Sequence, residues 1–171
     1  NMPSAGKNKG NTGERIIANF LTELYQAKFI RVPNSGSFLG GANNHRQQLM
    51  DQGQIASFRA DIIPPSDMRG LVIESKFYKE FPFSKLLKNE KIPLLDGWIK
   101  QLEENITSQD FSVVVFRINR QGSFAVFHEK WHAQLQVGNY ARYQHYIVTD
   151  FNDLFTVNRD VIRGIVKTQP S

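Results

Sequence analysis

The stretch Arg59-Ala60-Asp61-Ile62-Ile63-Pro64-Pro65-Ser66-Asp67-Met68-Arg69-Gly70-Leu71-Val72-Ile73-Glu74-Ser75-Lys76-Phe77-Tyr78 decides how this chain is read. Two apolar segments flank a turn running from Pro64 to Gly70, which predicts two short strands. The first carries Asp61 among apolar neighbours. The second carries Glu74 and Lys76 with one residue between them, and alternation along a strand puts both on the same face. Burying a carboxylate and an ammonium in so apolar a strand is costly without compensation. With Asp61 on the neighbouring strand, three charged groups converge. Two carboxylates there suit a hard divalent cation, and a lysine beside them suits an attacking water or a phosphate. The competing reading is an ordinary cross-strand ion pair on a solvated face.

The rest of the composition narrows the class. The chain has 171 residues, 40% hydrophobic and 22% charged, which fits one soluble domain with a real core. With no cysteine, neither a disulfide frame nor a cysteine-bound zinc site is available. No apolar run reaches a membrane span, and the polar start lacks a signal-peptide core. An intracellular, cytoplasmic protein is the expectation. The net charge of +5 points to a polyanion. Its distribution is more specific. Lys7, Lys9, Arg15, Arg46 and Arg59 precede the second strand, and Lys79, Lys85, Lys88 and Lys91 follow it. Basic groups on both sides of an acidic centre are what gripping a phosphate backbone requires. A solvated basic surface is the alternative.

Taken in order, residues 1–12 read as a flexible polar tail. A helix opens near Gly13, with Ile17, Phe20, Leu21 and Leu24 forming its apolar stripe. Glu14 lies in its first turn, three residues after Asn11, so it is either a capping residue or a carboxylate aimed at the same centre. Phe29 to Val32 reads as a strand, and Asn34-Ser35-Gly36-Ser37 as a turn able to approach a phosphate. The Gly-, Asn- and Gln-rich segment from Phe38 to Ser57 reads as a long loop that orders on substrate. After the hairpin comes a basic connector, Lys79 to Lys91. Pro93 then opens a second helix with the stripe Leu94, Leu95, Trp98, Ile99, Leu102 and Ile106. Phe111 to Ile118 is apolar almost throughout, as in a strand covered on both faces. Ser123 to His128 pairs back with it, Glu129 to Gln136 makes a short helix, and Tyr146 to Val148 an edge strand. Asp150 caps a terminal helix that runs, with a break, to Val166. The expectation is an α/β fold, a mixed sheet flanked by helices, in one domain over residues 13–171 with a core to about 128 and a C-terminal appendage over 129–171.

Four pieces occur in a telling order: Gly13-Glu14-Arg15 at the first helix, Ser35-Gly36-Ser37 after the first strand, Asp61 on the second, and Glu74-Ser75-Lys76 on the third. In this order they resemble the PD-(D/E)xK nuclease superfamily, and within it the archaeal-type Holliday junction resolvases and their phage relatives. The likeness spans about residues 13–78, and the helix–strand pair to Ile118 fits the same core. It implies a restriction-endonuclease-like fold. It also implies that Asp61, Glu74 and the Ser75 carbonyl ligate Mg²⁺, with Mn²⁺ able to substitute, and that Glu14 reaches the metal directly or through water. Lys76 would then position the attacking water, and Ser35 would lie near the scissile phosphate. Ala60 stands where the family has proline, the loop between Ser37 and Asp61 is longer than in compact resolvases, and nothing after His128 has a counterpart.

The resemblance implies a Mg²⁺-dependent, structure-selective DNA endonuclease in recombination or repair, cutting four-way junctions as a homodimer. Phe81, Phe83, Leu86 and Leu87 are candidates for the dimer contact, with core packing as the alternative. Lys7, Lys9, Arg15, Ser37, Arg46, Arg59 and Lys79 are the expected DNA contacts. Two rivals stand beside this expectation: a nuclease of the same superfamily acting on linear, flapped or single-stranded DNA, and a DNA-binding module without catalysis. His128 and His132 are four apart but lack the partners of a zinc site. Gly36 to Gly41 lacks the Lys-Ser/Thr ending of a phosphate-binding loop.

Overall fold

A computed structural model describes residues 5–32 and 60–167. Among them, one seven-stranded sheet runs in the order β1-β2-β3-β4-β5-β7-β6. Its strands are β1 (Ile30–Arg31), β2 (Ile62–Ile63), β3 (Leu71–Tyr78), β4 (Phe111–Ile118), β5 (Gly122–His128), β6 (Tyr140–Tyr143) and β7 (Tyr146–Asp150). β3 and β4 are parallel, in register from Leu71↔Phe111 to Tyr78↔Ile118, and the other neighbours are antiparallel. A parallel pair needs a long crossover. It is made by α2 (Phe83–Leu87) and α3 (Pro93–Glu103).

The apolar run of β4 is explained by its central place. Phe111, Val113 and Val115 face one core cluster, with Ile17, Leu21 and Phe155. Val114, Phe116 and Ile118 face the other, with Leu95, Trp98 and Leu102. Both faces are therefore dry, and no alternation with polar residues is needed. Helix α3 begins with Pro93 in its first turn, where the missing N–H costs nothing, and turns its predicted stripe inward.

Helix α1 (Ala5–Tyr25) starts eight residues before the predicted Gly13, so residues 5–12 belong to the helix and not to a tail. The polar composition there misled the reading, because a helix does not need an apolar stripe along every turn. The connector from Lys79 to Lys91 contains α2. Phe81 and Leu86 are buried and Phe83 half-buried in the second cluster, so of the four proposed interface residues only Leu87 is exposed.

The segment after His128 is no appendage to the sheet. It supplies β6 and β7, a 3₁₀ turn over Glu129–Gln134, and the helices α4 (Phe151–Val157) and α5 (Arg159–Val166) that close the first cluster. The predicted edge strand at Tyr146 is internal; the edge is β6. Asp150 caps α4 by accepting from the Asp153 N–H at 2.8 Å. The expected break falls at Asn158, which is 2% exposed. Its side chain accepts from the Gln136 N–H and donates to the Gln136 and Leu154 carbonyls. The end of α1 is tied to the start of α5: the Tyr25 hydroxyl donates to the Arg159 carbonyl at 3.1 Å, and Arg159 Nε donates to the Leu24 carbonyl at 2.8 Å.

Candidate active site

The site forms where β2 ends and β3 continues. Asp61 directly precedes β2, and its backbone is held on both sides. Its N–H donates to the Ile73 carbonyl at 3.0 Å, and its carbonyl accepts from the Val32 N–H at 2.8 Å. Its side chain then does what a further strand residue would do, with Oδ2 accepting the Ser75 N–H at 2.7 Å. Beyond this point β3 has no strand pair on that side among the described residues. Asp61 thus terminates the pairing and leaves one carboxylate oxygen free of that bond.

Glu74 lies one residue back on β3, on the face of Val72 and of α3, and is 4% exposed. Its Oε2 is buried with no hydrogen-bond partner. Burial first, then the Asp61 charge and a hydrogen bond shared with Asp61, hold its pKa well above the usual carboxylate range.

Glu14 comes from α1. Gly13 lets it approach, since a Cβ at Gly13 would sit 3.2 Å from Phe77 Cδ2 and 3.6 Å from Arg117 Cδ. Burial and the Asp61 charge raise the Glu14 pKa to about 7, against the pull of Arg31 and Lys76. Its Oε2 is 3.7 Å from the Arg31 guanidinium, close enough for attraction but too long for a hydrogen bond, and it too is buried without a hydrogen-bond partner.

Lys76 points to the same face as Glu74. Its ammonium donates to Gln101 Oε1 on α3 at 2.6 Å. Sequence reading missed Gln101. The only available signal was its place on a helix crossing back over β3, which cannot be read before the topology is known.

Asp61, Glu14 and Lys76 are therefore brought together around Glu74, close enough that all three act on its proton affinity. Ser75 is buried between them. Arg15 and Lys79 are exposed, on α1 and just after β3. Lys7 and Lys9 lie in the first turns of α1. Ser35, Ser37, Arg46, Arg59 and the loop 38–57 lie outside the described residues.

A divalent cation fits this donor set. Among the described residues no group of three carboxylate or imidazole side chains is placed to hold a metal ion together. Mg²⁺ does not require one, because it keeps several waters and takes one or two protein carboxylates. The orphaned buried oxygens of Glu74 and Glu14 are the observation that favours a cation: an unsatisfied buried acceptor costs about 1–3 kcal/mol.

A mixed sheet flanked by helices, with acids at the divergence of two strands and a lysine two residues on, defines a protein of the PD-(D/E)xK nuclease superfamily. The family model described as "phage putative PDDEXK endonuclease" matches residues 5–166. The chain belongs to that family. No curated protein and no solved structure matches it.

Proposed function

We propose that this protein is a Mg²⁺-dependent DNA endonuclease that cuts branched DNA, with Mn²⁺ able to replace Mg²⁺. The observation that carries the reading is the pair Asp61 and Glu74: one acid locked by the Ser75 N–H, the other buried with an unpartnered oxygen. Asp61, Glu74 and the Ser75 carbonyl would hold the cation, and Glu14 would reach it directly or through water. When bound, the cation supplies a Lewis acid that favours ionisation of water and offsets charge on the phosphate.

The chain's own groups do the rest. Lys76, held by Gln101, keeps a positive charge beside the position of the attacked phosphate and orients the water. The buried Glu74 keeps bulk water from the inner side of the site. Arg15 and Lys79 contribute to holding the DNA backbone, together with Lys7, Lys9, Arg46 and Arg59, while Ser35 and Ser37 contact the phosphate near the cut.

The four-way junction as substrate, and the homodimer that would cut it symmetrically, follow from the likeness of residues 13–78 to the resolvases. Cleavage of a labelled four-way junction, a flapped duplex and a linear duplex of the same sequence, with and without Mg²⁺, tests both levels. No cleavage of any of them by wild-type protein would end the nuclease reading. Equal cleavage of all three would end the junction reading alone.

A further inference from the structure

Leu87 is 86% exposed, more than any other large apolar side chain among the described residues. It stands on α2, whose underside is fixed by the buried Phe81 and Leu86, with Phe81 and Phe83 in edge contact at 4.9 Å. The helix ends in a tight hydrogen-bonded cap. The Glu90 N–H donates to the Lys85 carbonyl at 2.9 Å and the Asn89 N–H to the Leu86 carbonyl at 3.3 Å, with Asn89 at φ 56°. That pair of bonds is the Schellman pattern, with asparagine in the left-handed position that asparagine tolerates. Leu87 is therefore presented on a rigid tip.

The tip is basic. Lys85 and Lys88 flank Leu87, and neither has an ion-pair partner among the described residues. Lys91 follows, 3.9 Å from Asp96. The tip also belongs to the catalytic side of the sheet. Glu74 and Lys76 point to the face that α2 and α3 cover, and the rings of Tyr78, Trp98 and Phe81 connect the end of β3 to α2 at 5.1 and 5.9 Å.

We propose that this tip is a DNA wedge: Leu87 enters a base step of the bound duplex while Lys85 and Lys88 take the flanking phosphates. A rigid apolar side chain between cations is what unstacks a step and stabilises the resulting kink. A second copy of the chain fits the tip less well. A two-fold contact centred on Leu87 would set both groups of lysines against each other, and one leucine is far from the roughly 1,000 Å² a stable interface needs. The proposal rests on the nuclease reading, and it adds that the enzyme distorts its substrate at a defined step.

The test places 2-aminopurine singly at successive positions of a duplex and of a four-way junction, and binds wild type, Leu87→Ala and the double variant Lys85→Ala/Lys88→Ala with Ca²⁺ in place of Mg²⁺. Wild type should raise the fluorescence at one step. Leu87→Ala should lose that rise and bind about 10-fold more weakly, and the double variant should lower the salt slope of binding by about 2. Melting curves check that the variants fold. An undiminished rise with Leu87→Ala overturns the wedge, as does a dimer in sedimentation that Leu87→Ala dissociates. If wild type cuts DNA while the wedge signal is absent, only the wedge falls. If it neither binds nor cuts, both readings fall.

Discussion

The Ser75 N–H donates to Asp61 Oδ2 at 2.7 Å, so a side chain, not a backbone carbonyl, closes the sheet where β2 stops. The same carboxylate thus has a structural task beside the chemical one proposed for it, and substitutions separate them. Asp61→Asn keeps an oxygen for the Ser75 N–H, whereas Asp61→Ala leaves that part-buried donor unpaired. Both should reduce cleavage by at least about 100-fold. Asp61→Ala should also melt lower, by roughly 1–3 kcal/mol in stability. Equal melting of the two would mean that the bond does not hold the strand end.

Gln101 fixes the Lys76 ammonium at 2.6 Å. Gln101→Ala should lower kcat by about 10-fold with a much smaller change in KM, because the lysine keeps its charge but loses its direction. Gln101→Glu places a carboxylate against Lys76, which competes with the phosphate for the ammonium, and should lower kcat at least as far. Unaltered kcat in both variants would remove Gln101 from the site.

The raised pKa values of Glu14 and Glu74 make metal-free stability depend on pH. For an acid whose folded pKa lies above its unfolded value, the folded state holds the extra proton. The stabilisation is complete below the unfolded pKa and is lost as pH rises through the folded one. The melting temperature of metal-free protein should therefore fall as pH rises from about 4.5 through about 7, the Glu14 range. Glu74→Gln, neutral at every pH, should flatten the fall. Calorimetry should show Mg²⁺ binding releasing protons, and binding more tightly at pH 8 than at pH 6. A flat melting curve across this range would contradict the burial of these acids.

Gly13 sits in a helix, where alanine is ordinarily favoured by about 1 kcal/mol. Here the added Cβ would lie 3.2 Å from the Phe77 ring and push α1 outward. Gly13→Ala should leave the melting temperature within a few degrees of wild type and slow cleavage several-fold, by displacing Glu14. Unimpaired cleavage would show that the approach of α1 is not needed.

The sequence disclosed what local pattern determines. The alternation of Glu74 and Lys76, the doubly apolar Phe111 to Ile118 and the stripe following Pro93 each describe one element and its covered face. What it concealed depends on distant pairing. Gln101 meets Lys76 only because the crossover lays α3 over β3. Tyr140 to Tyr143 is too short and too polar to signal a strand, and becomes one by pairing with β7. Leu86 and Leu87 are adjacent and chemically identical, yet one is buried and the other exposed, a distinction set by the angle at which α2 meets the sheet. At the site itself the residue types were legible, but the orphaned oxygens were not, since burial is a property of the whole fold.

The bonds from Tyr25 and Leu24 to Arg159 join the first helix to the last across more than 130 residues of chain. On the ribosome, α1 gains this anchor only once synthesis has passed Arg159. Glu14 rides on α1, so the anchoring of the helix that carries it depends on a segment made more than 130 residues later. Chains stopped before Arg159 should accordingly leave nucleic acid intact, a safeguard supplied by connectivity alone.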